Sequence, residues 1–429
     1  MKRRTFLLGT LGTLGSSIRA FGTGESRGMI AFVEIDGLWV RALPDGEPRN
    51  LIGGPVSFPQ FSPSGQWILF AQNGITSITS LDGKQVRRIG DNAAWSPVSD
   101  DLWVRNEDAD ALELFSARNG WSSAIGTISH ASLGVFRPDG SEMIYMAGVQ
   151  SEATDDASIS ANLCRVALKD GAQPAILQTT SEEWSPCAWT RDGKSIVYWM
   201  QEERSASEAS DGNELFLLSA SGGKPRSLGV TTLLDPDFVQ LSPVRNELAL
   251  TAGGERNEWH NKRLAVVDLN SVDVRYLMDQ DTVGLSPSWS PDGHRIAYSA
   301  GPAPASEEQS DLECGCDEAS QKRLNELLSK RRIWISDRTG AQPPRQLTSD
   351  SRYHDEEPLW SANGQRILFT RSDSAYTDIH TLSSDQKTLW LMDQDGSNPT
   401  QVAGPLYVDP DLAGSRRCAF DWFRGAPKP

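Results

Sequence analysis

The side chains best suited to chemistry in this chain are histidines and clustered acids. Of five histidines, His294 lies in a Ser-Pro-Asp-Gly turn, whereas His130, His260, His354 and His380 lie between the regular segments. Imidazole suits first-row transition metals and carboxylates suit harder ions. His260, His354 and His380, with Asp355 or Glu357, are therefore candidate ligands for a divalent cation such as Ca or Mn. The acids form a second set. Glu202 and Glu203, Asp235 and Asp237, and the run His354-Asp355-Glu356-Glu357 stand in segments with few bases of their own. Gathered on one surface they would attract cations or a basic peptide and repel anionic polymers. A covalent nucleophile is not legible: there is no Gly-x-Ser-x-Gly elbow and no phosphate-cradling glycine loop. Cys314 and Cys316 flank one glycine, but a closed zinc site needs four ligands and no second pair accompanies them.

What must position these residues is a repeat. The stretch PSWSPDGHRIAYSAG at 287–301 joins an aromatic, a turn and an alternating apolar run, and it recurs at 58–72, 93–106, 134–148, 187–201, 239–253 and 358–372. Each copy is followed by a strand, a turn and a strand, at 75–89, 112–125, 163–177, 215–228, 264–277, 333–347 and 389–402, with an eighth such pair at 38–52. Asp-Gly and Asn-Gly between β-prone runs tolerate the positive φ of tight hairpins. The surplus pair is preceded by MIAFVE at 29–34 but by no aromatic-turn strand. That missing strand stands at the other end of the chain, in AFDWFRG at 419–425.

The pattern predicts an all-β, eight-bladed β-propeller of four-stranded antiparallel blades, the ring closed by the N- and C-terminal strands. Seven blades are the alternative if the compressed copy at 93–106 makes no true blade. These units resemble those of TolB-like propellers, relatives of WD-type repeats, over essentially residues 29–425. The loop histidines also resemble those of some propeller-shaped polysaccharide lyases that use metal-bound histidine. The lyase resemblance implies a metal-dependent carbohydrate-active enzyme as the alternative function. Such an enzyme would draw its base from residues such as Arg256, Lys262 or Arg352, which fits poorly with an acidic mouth.

Antiparallel order puts the turns between first and second strands on one face, and the loops between second and third strands, with the links between blades, on the other. The second face carries the long insertions, at 149–161, 202–213, 254–262, 302–331 and 372–387, all in blades four to eight. One-sided insertions in a repeat mark a binding face. The longest contains DEASQKRLNELLSKR at 317–331, with acids first, bases last and Leu324, Leu327 and Leu328 on one side, which predicts a short amphipathic helix.

The formal charge of −16 and the lack of a basic run argue against nucleic acid. The first residues, Lys2-Arg3-Arg4-Thr5-Phe6-Leu7-Leu8, lead into an acid-free apolar stretch too short to span a bilayer. They look like a twin-arginine export signal. The expected organisation is an export signal and linker at 1–28, the propeller at 29–425 and a tail at 426–429. The mature chain is expected to be a periplasmic or secreted monomer with no membrane span, holding a protein or basic peptide partner.

Overall fold

The computed structural model describes residues 28–90, 92–149, 160–180, 183–201, 212–309, 312, 317–374, 387–407 and 418–423. Within them lie eight four-stranded antiparallel sheets. In the sheet that closes the ring, Phe420–Phe423 pairs with Met29–Glu34, which pairs in turn with Gly37–Ala42 and Arg49–Gly53. Met29 lies opposite Phe423 and Phe32 opposite Phe420. The two ends of the chain therefore share blade 1. The compressed copy is a complete blade, blade 3, built from Asn92–Trp95, Leu102–Asn106, Ala111–Phe115 and Ala124–Ser129, which settles the count at eight.

Apolar residues fill the layers between blades. One cluster joins Val197, Trp199 and Leu217 of blade 5 to Val239, Leu250 and Val267 of blade 6, and another joins Leu368 and Leu391 of blade 8 to Ile30 and Phe32 of blade 1. Central strands such as Glu247–Ala252 are buried along their whole length, because both of their faces meet a neighbouring blade. The fourth strands, such as Val86–Gly90, are largely exposed.

The aromatic of the repeat ties adjacent blades together. The indoles of Trp95, Trp189 and Trp289 each donate to a carbonyl of the preceding blade, at Gln60 (3.2 Å), Val135 (2.9 Å) and Gln240 (2.9 Å). Behind Trp289 the Ser-Pro-Asp-Gly turn closes on itself. Ser290 Oγ accepts from Arg295 N–H, Asp292 Oδ1 accepts from His294 N–H, and Gly293 N–H donates to the Ser290 carbonyl.

Gly293 meets two demands at once. Its φ is +66°, in the left-handed region, and an added Cβ would lie 2.3 Å from Val244 Cγ2 of the preceding blade. The backbone cost is about 1–2 kcal/mol, and the partly exposed Val244 can yield at some further cost. Gly293→Ala is therefore expected to destabilise by about 1–3 kcal/mol, read as a lowered midpoint in urea unfolding. A wild-type midpoint would show that the turn is not constrained as described.

On the insertion face, a helix runs over Glu318–Leu328, with Asp317 as its N-cap accepting from Ser320 N–H at 2.8 Å. It packs Leu324, Leu327 and Leu328 on Leu312 and on Trp259 of the blade 6 loop. The amphipathic pattern is thus absorbed by an anchor between two neighbouring insertions. No helix among the described residues is long and apolar enough to cross a membrane, and Cys164, Cys187 and Cys418 are buried.

Candidate functional site

The run His354-Asp355-Glu356-Glu357 is not a link between blades, as its polarity suggested. It is the first half of Tyr353–Trp360, the first strand of blade 8, and lies at the insertion-face end of that strand. Alternation would send such a polar run to solvent, but the structure gives each acid a cation from another segment. Asp355, fully buried, is bound by Arg371 from the adjacent strand through Nε (2.6 Å) and Nη2 (3.1 Å). Glu356 is bound by Arg331 at 2.5 Å, and Glu357 by Lys387 Nζ at 3.1 Å. Arg331 also donates to the Glu258 carbonyl at 2.9 Å. One guanidinium thus joins the insertions of blades 6 and 7 to the first strand of blade 8.

These pairings set the protonation states. Burial works against the charge of Glu356, but Arg331, Lys387 and His354 outweigh it and bring the carboxyl down to about 2. Burial likewise opposes the charge on Lys387, and Glu357 and Glu356 hold the ammonium above its ordinary value. The Glu258 carboxyl is pushed up, first by the protein packed around it and then by Glu356, with Arg331 opposing. Its side chain still reaches solvent, so the rise reflects crowding around the mouth rather than enclosure. Lys262 is fully buried and donates to the Glu255 carbonyl. Burial lowers its ammonium to about 8, with Glu255 and Glu258 opposing.

A group held below its free value stabilises the fold above the unfolded-state value and ceases to do so in acid. The Glu356 contribution is therefore complete above about pH 4.5 and disappears as the pH falls toward about 2. The stability difference between the wild type and Glu356→Gln, measured by urea unfolding from pH 6 to pH 2.5, is expected to shrink steadily through that window. A constant difference would show that Glu356 is not charge-paired.

His260 and His354 have different surroundings. His260 is fully buried, its ring 4.3 Å from that of Trp259. His354 is held below its ordinary value first by burial; Arg331 and Lys387 lower it further, against Glu356 and Asp355. Among the described residues no three His, Cys, Asp or Glu side chains converge as metal ligands; His380 lies outside them. Of the bases considered for lyase chemistry, Lys262 is buried, and Arg352 is exposed and bound to Asp350 at 2.7 Å.

The remaining predicted acids fall in two places. Asp235 caps the short turn Pro236–Phe238, accepting from Asp237 N–H at 2.8 Å, and Asp237 is buried. Both serve the link into blade 6. Glu202, Glu203, Cys314, Cys316 and residues 1–27 lie outside the described residues.

The insertion face also holds a groove of about 600 Å³ between blades 5 and 6, walled by the start of the blade 7 insertion. Glu214 and residues 229–231 form its blade 5 side, Gly253, Asn261, Arg263 and Tyr276 its blade 6 side, and residues 304–306 with Gln309 its outer wall. The Arg263 guanidinium lies 3.7 Å from the centre of the Tyr276 ring. Sequence reading missed this pair and the cations Arg331, Arg371 and Lys387. The strand register brings Asp355 opposite Arg371, and the folding of distant segments brings Arg331 and Lys387 to Glu356 and Glu357.

The fold and its one-sided loops define the class: an eight-bladed β-propeller with short turns on one face and long insertions on the other. No protein-family model matches the chain, and no curated protein matches it in sequence. Among solved structures it is similar to the dihydro-heme d1 dehydrogenase NirN in complex with DHE, at 14% identity and TM-score 0.51, over 89% of this chain and 74% of that one. It is also similar to a putative TolB from Agrobacterium tumefaciens (15% identity, TM-score 0.35, 88% and 89% covered) and to an oligogalacturonate lyase in complex with manganese (12%, 0.46, 85% and 97%). TolB is thus among its structural neighbours, and at these identities the likeness is one of propeller fold alone.

Proposed function

We propose that the protein is an exported binding module that holds a protein or peptide partner on its insertion-bearing face. The observation that carries this reading is the groove, which lies between the strands of blades 5 and 6 and is walled on its outer side by the start of the blade 7 insertion. Its volume lies in the range of small-ligand and peptide-end pockets. The ion pairs at the mouth refine the reading: Asp355, Glu356 and Glu357 are neutralised within the chain, so recognition belongs to the groove rather than to a free ring of acids. The twin-arginine-like start supports export.

A photo-crosslinking residue placed at Gln309, on the groove wall, is expected to capture a partner in the exported fraction of the native host. The same residue at His294, in a turn of the opposite face, should capture none. Equal capture at both positions, or none at Gln309, would remove the reading.

A further inference from the structure

We propose that the groove between blades 5 and 6 recognises a zwitterion, an amino acid or the free C-terminal end of a short peptide, with Arg263 as the carboxylate-binding residue. This rests on the reading of the insertion face as the binding face and assigns its ligand chemistry. Arg263 opens the third strand of blade 6, Arg263–Asp268, directly after the insertion at 254–262. It is half-buried and lies against the Tyr276 ring, and among the described residues no carboxylate pairs with its guanidinium. This sets it apart from Arg331 and Arg371, each of which binds an acid.

The guanidinium carbon lies 3.7 Å from the centre of the Tyr276 ring, a contact that restrains the side chain on the groove wall. A guanidinium held in this way presents two parallel donors, a geometry that matches a carboxylate. A partly desolvated cation with no acid beside it gains most from an anion brought by a ligand.

The other walls supply the opposite polarity. Glu214 accepts from the Ser227 hydroxyl at the blade 5 side, and Asp281 lies exposed at the link into blade 7. Two carboxylates facing one arginine across a groove of about 600 Å³ suit a ligand with an anionic end and a cationic end, and they disfavour a dianion. Gly229 and Gly253, which have no side chains, also line the groove, which leaves room for a ligand backbone.

The test uses the full-length chain and a randomised tripeptide mixture with free ends, followed by saturation-transfer NMR and competition titration. The free mixture is expected to bind, and the C-terminally amidated mixture to bind at least tenfold more weakly. Arg263→Gln should lose the preference for the free acid, and Asp281→Asn should weaken binding of the free-amine mixture more than of its N-acetylated form. Equal binding of free and amidated mixtures to the wild type, or no binding at millimolar concentration, overturns the assignment. That comparison needs no variant to fold. Crosslinking at Gln309 that persists while amidation has no effect would sink the zwitterion site and leave the binding face standing. Loss of both would sink the two together.

Discussion

Arg371→Met is expected to destabilise the protein by about 3–5 kcal/mol, the cost of removing one partner from a buried ion pair. Asp355 is fully buried and Arg371 nearly so, and the two-point contact satisfies both carboxylate oxygens. Without the guanidinium, Asp355 must either carry an unpaired charge in the protein interior or take up a proton. Methionine replaces most of the volume but none of the five donors. Arg371 also sits against Tyr353, Phe369 and Trp390, at 4.8, 5.2 and 4.6 Å from their ring centres, so part of the loss is cation–π attraction. The sharper test is the double variant. If the penalty is the stranded charge, Asp355→Leu combined with Arg371→Met should recover much of the stability, because replacing both members of a buried pair by apolar residues can be neutral. Additive losses in urea unfolding would instead show that packing, not charge, carries the site.

The fold was legible because its signal is repetitive and local. A Ser-Pro-Asp-Gly turn announces itself at each copy, and the mismatch between seven leading units and eight hairpins forces the pairing of Met29–Glu34 with Phe420–Phe423. The helix at Glu318–Leu328 was legible for a similar reason, since its cap and leucine spacing lie within one segment. The site was less so, because its meaning lies in contacts between segments far apart in the chain. Glu356 looks unpartnered within its own run, yet its cation is Arg331, 25 residues earlier at the end of the blade 7 insertion. Counting charges loop by loop therefore missed the cations that pair with Asp355, Glu356 and Glu357. Arg263 was invisible for the converse reason. A lone arginine at a strand start carries no pattern, and only the structure shows that Tyr276 rather than an acid lies beside it.

This dependence on distant contacts also explains how the regular and irregular faces can differ so much on one scaffold. Turns on the regular face bind their own residues and the preceding blade, as Ser290, Asp292 and Val244 do around Gly293. Insertions on the other face bind one another, through Trp259 with Leu324 and through Arg331 with the Glu258 carbonyl. The blades can thus keep one geometry while the loops above them build a separate set of contacts, which is what a binding surface on a rigid support requires.

Gly253 is where that surface meets the scaffold, and Gly253→Ala is expected to be severe. The residue ends the second strand of blade 6 with φ +138°, a conformation rarely open to residues with a side chain. An added Cβ would lie 1.8 Å from the Asn261 carbonyl oxygen, a backbone atom that no rotamer change can move aside. Its N–H meanwhile donates to the Thr231 carbonyl of blade 5 at 2.8 Å, which ties the two sides of the groove together. To accept alanine the hairpin must open around 253–261 or the bond to Thr231 must break. The strain and the lost bond together set a cost of about 3 kcal/mol or more. Amide exchange should locate it: protection is expected to fall first at Gly253 and along the outer strand Arg226–Thr232, with blades 2 and 3 unchanged. Peptide binding in the groove should fall with it. Wild-type protection at Gly253 in the alanine variant would show that the floor of the groove is not built on this glycine.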